Sequence, residues 1–201
     1  MQSDLSKGRI NGENSVDASY QSFAAGGRLE ITIIESRFIR MMKDALSEKR
    51  QFALCMLNEG TESDPVKNLP AIVTISKIID FNQTDGGLIN LSIEGIHNVK
   101  LSAVYHEYDG LFSGDAVILP SWSPLPIDSV NECLAEKLKR HFAYNQKSKI
   151  SDDKLKYDDI SWVCQRWIEI VPIEVYYKQL LIAQDSPKLT IRFLLKLFQH
   201  G

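Results

Sequence analysis

The chain has 201 residues, of which 44% are hydrophobic and 24% charged, the composition of an ordinary globular protein and not of a disordered or fibrous one. Lys and Arg number 23 against 26 Asp and Glu, and a net charge of −3 gives no overall attraction to phosphate backbones or anionic membranes. A chain of this length buries about 70% of its extended surface on folding, so a core forms without a metal or disulfide staple.

Residues 1–27 are rich in Ser, Gly, Asn and Asp and show neither a period of 2 nor one of 3.6, which predicts an irregular N-terminal arm. From Leu29 onward, Leu29, Ile31 and Ile33 alternate with Glu30 and Thr32, the pattern of a strand with one buried face. Glu35 and Ser36 then open a helix whose apolar residues Phe38, Ile39, Met42, Ala45 and Leu46 recur at three and four. Strand-like segments follow at 51–57, 71–81, 87–94, 99–105 and 111–119. Thr84-Asp85-Gly86-Gly87 signals a hairpin, and residues 95–98 predict a second reversal. Short consecutive strands of this kind point to an antiparallel sheet or small barrel.

Pro120, Pro124 and Pro126 remove backbone donors and fix φ, so 120–127 reads as a linker between a β-rich subdomain (28–119) and a helical bundle (128–201). Asp128 or Ser129 caps a helix with Val130, Leu134, Leu138 and Phe142 on one side. Two further helices are marked by Trp162, Val163, Trp167 and Ile170, and by Ile173, Tyr176, Tyr177, Leu180 and Leu181. In the last helix Asp185 and Ser186 cap, Pro187 occupies the first turn, and Leu189, Phe193, Leu194 and Leu197 form the predicted buried stripe.

Cys55, Cys133 and Cys164 sit in apolar stretches and are odd in number, the usage of reduced core thiols in a cytoplasmic protein. No apolar h-region follows the first nine residues, and no run reaches eighteen apolar residues, so neither a secretory signal nor a membrane span is predicted. The chain contains no Gly-x4-Gly-Lys-Ser/Thr loop, no His-Glu-x2-His, no Cys-x2-Cys and no Gly-x-Ser-x-Gly elbow. These absences predict no catalytic residue, no metal site and no cofactor. His106-Glu107-Tyr108-Asp109 reads as a solvated turn, Glu35 with Arg37 as a structural ion pair in which the guanidinium clamps a nearby loop, and Trp162 with Trp167 as core.

Gly26-Gly27-Arg28-Leu29-Glu30-Ile31-Thr32-Ile33-Ile34-Glu35-Ser36-Arg37-Phe38 resembles the opening signature of the Lon substrate-binding (Lon N-terminal) domain family. Ile78-Ile79-Asp80-Phe81-Asn82-Gln83, Ile93-Glu94-Gly95 with Val99-Lys100-Leu101, and Asp109-Gly110-Leu111 follow in the family's order. In the helical half, Ser161-Trp162-Val163, Pro172-Ile173, Lys178-Gln179-Leu180-Leu181 and Asp185-Ser186-Pro187 with Arg192-Phe193-Leu194 resemble stand-alone bacterial members. The resemblance spans about residues 26–198 and implies an α+β fold, a PUA-like β-rich pseudobarrel followed by a helical bundle. It also marks Gly26, Gly27, Arg28, Glu35, Arg37, Asp80, Glu94 and Gly95 as structural motif residues. Two departures stand out. Ser36 replaces the usual proline, and residues 14–25 lack most apolar residues of the family's first strand, which predicts a frayed strand and an open sheet edge.

In Lon-type proteases this domain recognises polypeptides while ATPase and Ser-Lys peptidase domains follow it; with the chain ending at Gly201, those domains are expected to be absent. The resemblance thus implies a non-catalytic module that binds unfolded or flexible polypeptides. Tyr108, Phe112 and Trp122 are the candidate contacts, being aromatics in turns and linker where a core does not require them. The alternative is a PUA-like RNA-binding protein using Lys137, Lys139, Arg140, Lys147 and Lys149, disfavoured by Asp152, Asp153, Asp158 and Asp159 close by. An adaptor or structural remnant, and an enzyme with an unrecognised site, complete the set.

Overall fold

A computed structural model describes residues 9–12, 24–56, 71–84, 86–145 and 155–199. The chain divides into two units, Met1–Leu119 and Pro120–Gly201. Among its described residues the first holds six strands and one helix: β1 (Arg9–Gly12), β2 (Arg28–Ile33), α1 (Ser36–Leu46), β3 (Gln51–Leu54), β4 (Ile72–Gln83), β5 (Ile89–His106) and β6 (Phe112–Ile118). The second holds α2 (Glu132–Asn145), α3 (Ile160–Ile170), α4 (Val175–Ile182) and α5 (Lys188–Gln199), giving an α+β chain.

The strands run in the order β2-β5-β4-β3-β1-β6, and β6 returns to pair with β5. Five strands therefore close on themselves, and β2 continues the sheet from the first half of β5. Every pairing is antiparallel except β1 with β3. Ala53, Val73, Ile75 and Val99 fill one core of the closed part. The β2-β5-β4 ribbon builds a second core: Ile31, Leu91, Ile93 and Ile33 face α1, whose Phe38, Met41 and Met42 pack on them. Pleating sends the alternate residues outward, where Arg28 pairs with Glu94 and Thr32 Oγ1 donates to Asn90 Oδ1.

The arm predicted for residues 1–27 is corrected at Arg9–Gly12, which forms β1 between β3 and β6. Residues 14–23, most of the stretch expected to fray, lie outside the described residues. The reversal predicted at residues 95–98 is instead a bend within one long strand. Ser76 pairs with Gly95 and Ile75 with His97, so Ile96 is bulged and β5 continues. Gly95 does not turn the chain: Gly95 N donates to Gly27 O and Gly26 N to Gly95 O, ordinary ladder bonds to the residues before β2, with Gly26 at φ 78°. The other hairpin forms, with Thr84 N donating to Leu88 O at 2.8 Å and Gly87 at φ 82°; Asp85 lies outside the described residues.

In the helical unit, Asp128 Oδ1 accepts from Val130 N and Asn131 N ahead of α2, and Asp159 Oδ1 caps α3 through Ser161 N. Residues 120–127 are stitched into this unit: Leu125 N donates to Asp159 Oδ1, Ile160 N to Leu125 O, and Ser161 Oγ to Ser123 O. Two helices present a different face from the one their spacing predicts. On α4, Tyr176, Tyr177 and Leu180 are exposed while Lys178, Leu181 and Ile182 are buried. On α5, Leu189 and Leu197 are exposed and the buried positions are Thr190 and Leu194.

Candidate functional site

β3 pairs with β4 only at Thr74, Ile75 and Ser76. Among the described residues, positions 78–83 of β4 thus have a strand partner on one side alone, that of β5. This edge carries Ile79, exposed at a register shift between Ile78 and Asp80, and Phe81, which is 53% exposed. Phe81 pairs across to Leu91, so it stands on the same sheet face as α1, at its border. Thr84 N–H bonds to Leu88 O, and alternation along the ladder then places Phe81 in a non-hydrogen-bonded pair with its own N–H directed away from β5. Asp80 Oδ1 accepts that N–H at 2.8 Å. Asp80 therefore covers one of the edge's own donors.

A second feature is an ion network between α1 and the β5–β6 turn. Arg40 Nε donates to Asp109 Oδ2 at 2.7 Å, Arg40 Nη2 to Glu107 Oε2 at 2.7 Å, and Arg50 Nη1 to Glu107 Oε1 at 2.6 Å. Asp44 adds a longer contact to Arg40 at 3.5 Å. Hydrogen bonding by Arg40 holds the Asp109 carboxyl below its ordinary range. Burial pushes Glu107 the other way, but the bonds from Arg40 and Arg50 outweigh it and the net direction is down. Arg40 is itself held more firmly protonated by the same partners, Asp109 first. Arg37, 2.8 Å from Glu35, donates through Nη1 to Gly110 O at 2.9 Å, so helix and turn are clamped at two points. The segment 106–109 is thus an ion-paired turn and not the solvated one its composition suggests. Neither Arg40 nor Arg50 was marked by a motif; the legible signal was a carboxylate on each side of Tyr108 with no local cation to match.

Of the three predicted aromatic contacts only Tyr108 is on the surface, 90% exposed, with the Arg40 guanidinium 5.5 Å from its ring centroid. Phe112 is buried, edge to face with His106, its partner across the β5–β6 ladder. Trp122 is buried in the other unit, its indole Nε1 donating to Gln184 O at 2.6 Å. The expectation that Phe112 and Trp122 are surplus to the core is therefore wrong. Both bury large apolar area, and Trp122 also spends its polar handle inside. Glu94 takes Arg28 at 3.1 Å and Lys77 at 3.5 Å, so this motif glutamate ties the outer face of the ribbon together.

In the helical unit Arg166 is buried beside Glu169, 2.9 Å away, and the Lys178 ammonium donates to Glu169 O at 3.3 Å. Burial lowers the pKa of both cations, with Glu169 opposing it. Cys164 is buried and its thiol is pushed up to about 12, so it stays protonated and unreactive at neutral pH. Cys133, by contrast with the prediction, is exposed. Of the cations proposed for RNA, Lys139 is paired with Glu136 at 2.8 Å and Lys137 lies over the Phe198 ring; Lys147 and Lys149 are outside the described residues. Among the described residues no group of three or more His, Cys, Asp or Glu is placed to hold a metal ion, and no helix is long and apolar enough to cross a membrane.

The fold recurs in solved structures. A Lon N-terminal domain protein from Xanthomonas campestris aligns over 96% of this chain and 98% of its own with a TM-score of 0.71 at 18% identity. The N-terminal domain of a Mycobacterium avium complex Lon protease aligns over 94% and 96% with a TM-score of 0.58 at 13% identity. No curated protein sequence matches. At such identities structural likeness establishes the fold, and the sequence establishes the family: residues 26–200 match the substrate-binding domain of ATP-dependent protease La (LON), and the chain belongs to that family.

Proposed function

We propose that the chain is a non-catalytic polypeptide-binding module and that its β unit receives an extended segment along the outer edge of β4. The observation that carries this reading is the pair of exposed apolar side chains, Ile79 and Phe81, on a stretch of strand whose outer backbone groups face no other described strand. Main-chain hydrogen bonds at such an edge are indifferent to sequence, and the flanking apolar side chains reward any segment that brings hydrophobic residues, which suits an unfolded partner. Asp80 tempers the edge, since its carboxylate occupies the Phe81 N–H until a peptide carbonyl replaces it. Tyr108, held on its turn by Arg40, is a second exposed aromatic on the same unit, and the cytoplasm is the compartment in which such a module meets nascent and damaged chains.

The test is a titration of the purified chain with a fluorescent, unstructured peptide rich in Val and Phe, without nucleotide, followed by anisotropy. Binding in the tens of micromolar is expected, weakened at least about tenfold by Ile79→Lys with Phe81→Lys while the melting temperature holds. Absence of binding at high micromolar concentration, or equal binding by the double variant, overturns the reading.

A further inference from the structure

The outward face of α5 carries a row of cations. Lys188, Arg192 and Lys196 are spaced by four residues, which advances the helical wheel by only about 40° a step, so the three lie on one exposed arc with about 6 Å of rise between neighbours. No acidic residue occurs from Lys188 to the end of the sequence. Among the described residues, neither Lys188 nor Arg192 enters an ion pair, whereas Lys196 has an interaction of its own. The placement of Lys188 works against the helix itself: it sits in the first turn, where the dipole disfavours a cation, and that turn has no carboxylate to offset it. Past Lys196 on the wheel come Leu189, about 20° on and 47% exposed, and Leu197, about 100° on and 39% exposed, before the face that is committed to the core through Thr190 and Leu194. At the C-terminal turn the Lys137 ammonium, 5.0 Å from the Phe198 ring centroid, adds a positive charge from α2.

We infer that this face binds an acidic polypeptide segment, one presenting carboxylates about 6 Å apart with apolar residues beside them. Charge complementarity fixes the sign of the partner, and the two leucines fix its class. A nucleic acid strand gains from exposed aromatic platforms, and the stripe has none. A bilayer needs a continuous apolar face to sink into; Leu194 of α5 is buried in its own unit, and Leu189 and Leu197, about 80° apart on the wheel, do not make such a face. The chain as a whole is acidic, but Lys and Arg outnumber Asp and Glu in residues 120–201 and the reverse holds in residues 1–119. Within a Debye length of about 8 Å the local stripe, not the net charge, is what a partner meets.

The full chain is titrated with a labelled sixteen-residue helical peptide carrying Glu at three successive fourth positions flanked by Leu, and in parallel with a uridine oligonucleotide and with phosphatidylglycerol vesicles. The peptide is expected to bind, more weakly as salt rises. The K188Q/R192Q/K196Q variant should lose at least about tenfold in affinity, and L189A/L197A severalfold without changing the salt slope. Circular dichroism and melting of both variants should match the parent, since every substituted side chain is on the surface. No peptide binding, binding untouched by the triple substitution, or tighter binding of the oligonucleotide or the vesicles overturns the inference.

Discussion

In the β unit the environment of a side chain is set by what it pairs with; in the helical unit it is set by the rotation of a helix about its axis. Ile31 is opposite Leu91, and a slip of β2 by one residue would turn Ile31 and Ile33 to the solvent side while β4 keeps Leu91 and Ile93 facing α1, so the register has one good solution. No such lock acts on α5. Thr190 and Leu194 face inward while Leu189, about 100° round the wheel from Thr190, faces out. Alternation in a paired strand is thus a strong constraint, whereas a helix with apolar residues on most of its circumference takes whichever face its neighbours complete.

Phe38 is buried between α1 and the ribbon, so Phe38→Ala should cost about 3 to 5 kcal/mol, and Leu194→Ala about 2 to 5 kcal/mol. Leu189→Ala should stay within about 0.5 kcal/mol. Urea unfolding of the three variants checks the set. Equal losses for Leu189→Ala and Leu194→Ala would mean that α5 is rotated to the stripe its spacing draws.

A middle-sized effect sharpens the β side. Arg40→Met removes the guanidinium that bonds both Asp109 and Glu107 and should cost about 2 kcal/mol at neutral pH. Both carboxyls have folded pKa values below their unfolded ones, so their contribution is complete above the ordinary carboxylate range and is lost as pH falls through the depressed values. The gap between parent and variant in urea midpoint should therefore be full at pH 7 and narrow well below about pH 4. A gap that persists unchanged in acid would assign the loss to packing of the Arg40 stem.

These contrasts also mark what the sequence discloses. Alternation at Leu29, Ile31 and Ile33 and the three-and-four spacing of α1 are local, and both the strand and the helix appear within a residue or two of their predicted bounds. The bulge at Ile96 is hidden because a glycine that ends a strand and a glycine beside a bulge in a continuing strand look alike from composition; only the partner strands, Gly27 on one side and Ser76 on the other, distinguish them. The site was less legible still. Tyr108 is exposed because an arginine 68 positions earlier in the chain reaches its turn, and Trp122 is buried because Gln184 O waits for its indole, neither being a relation that spacing records. The β4 edge depends on where β3 stops pairing, a property of another strand altogether.

The smallest effect bears on the helical side and separates stability from binding. Lys188→Glu replaces a cation with an anion in the first turn of α5, where the amide groups and dipole favour negative charge. The variant should be more stable than the parent by about 0.3 to 1 kcal/mol at low ionic strength, with the gain fading as salt screens it. Its affinity for the acidic helical peptide should fall at the same time, because one of three stripe charges is reversed. A thermal melt and an anisotropy titration on the same preparation read both quantities. If the substitution destabilises the fold, Lys188 is held by a structural partner and the stripe begins at Arg192; if it stabilises the fold and leaves peptide binding intact, the peptide docks elsewhere.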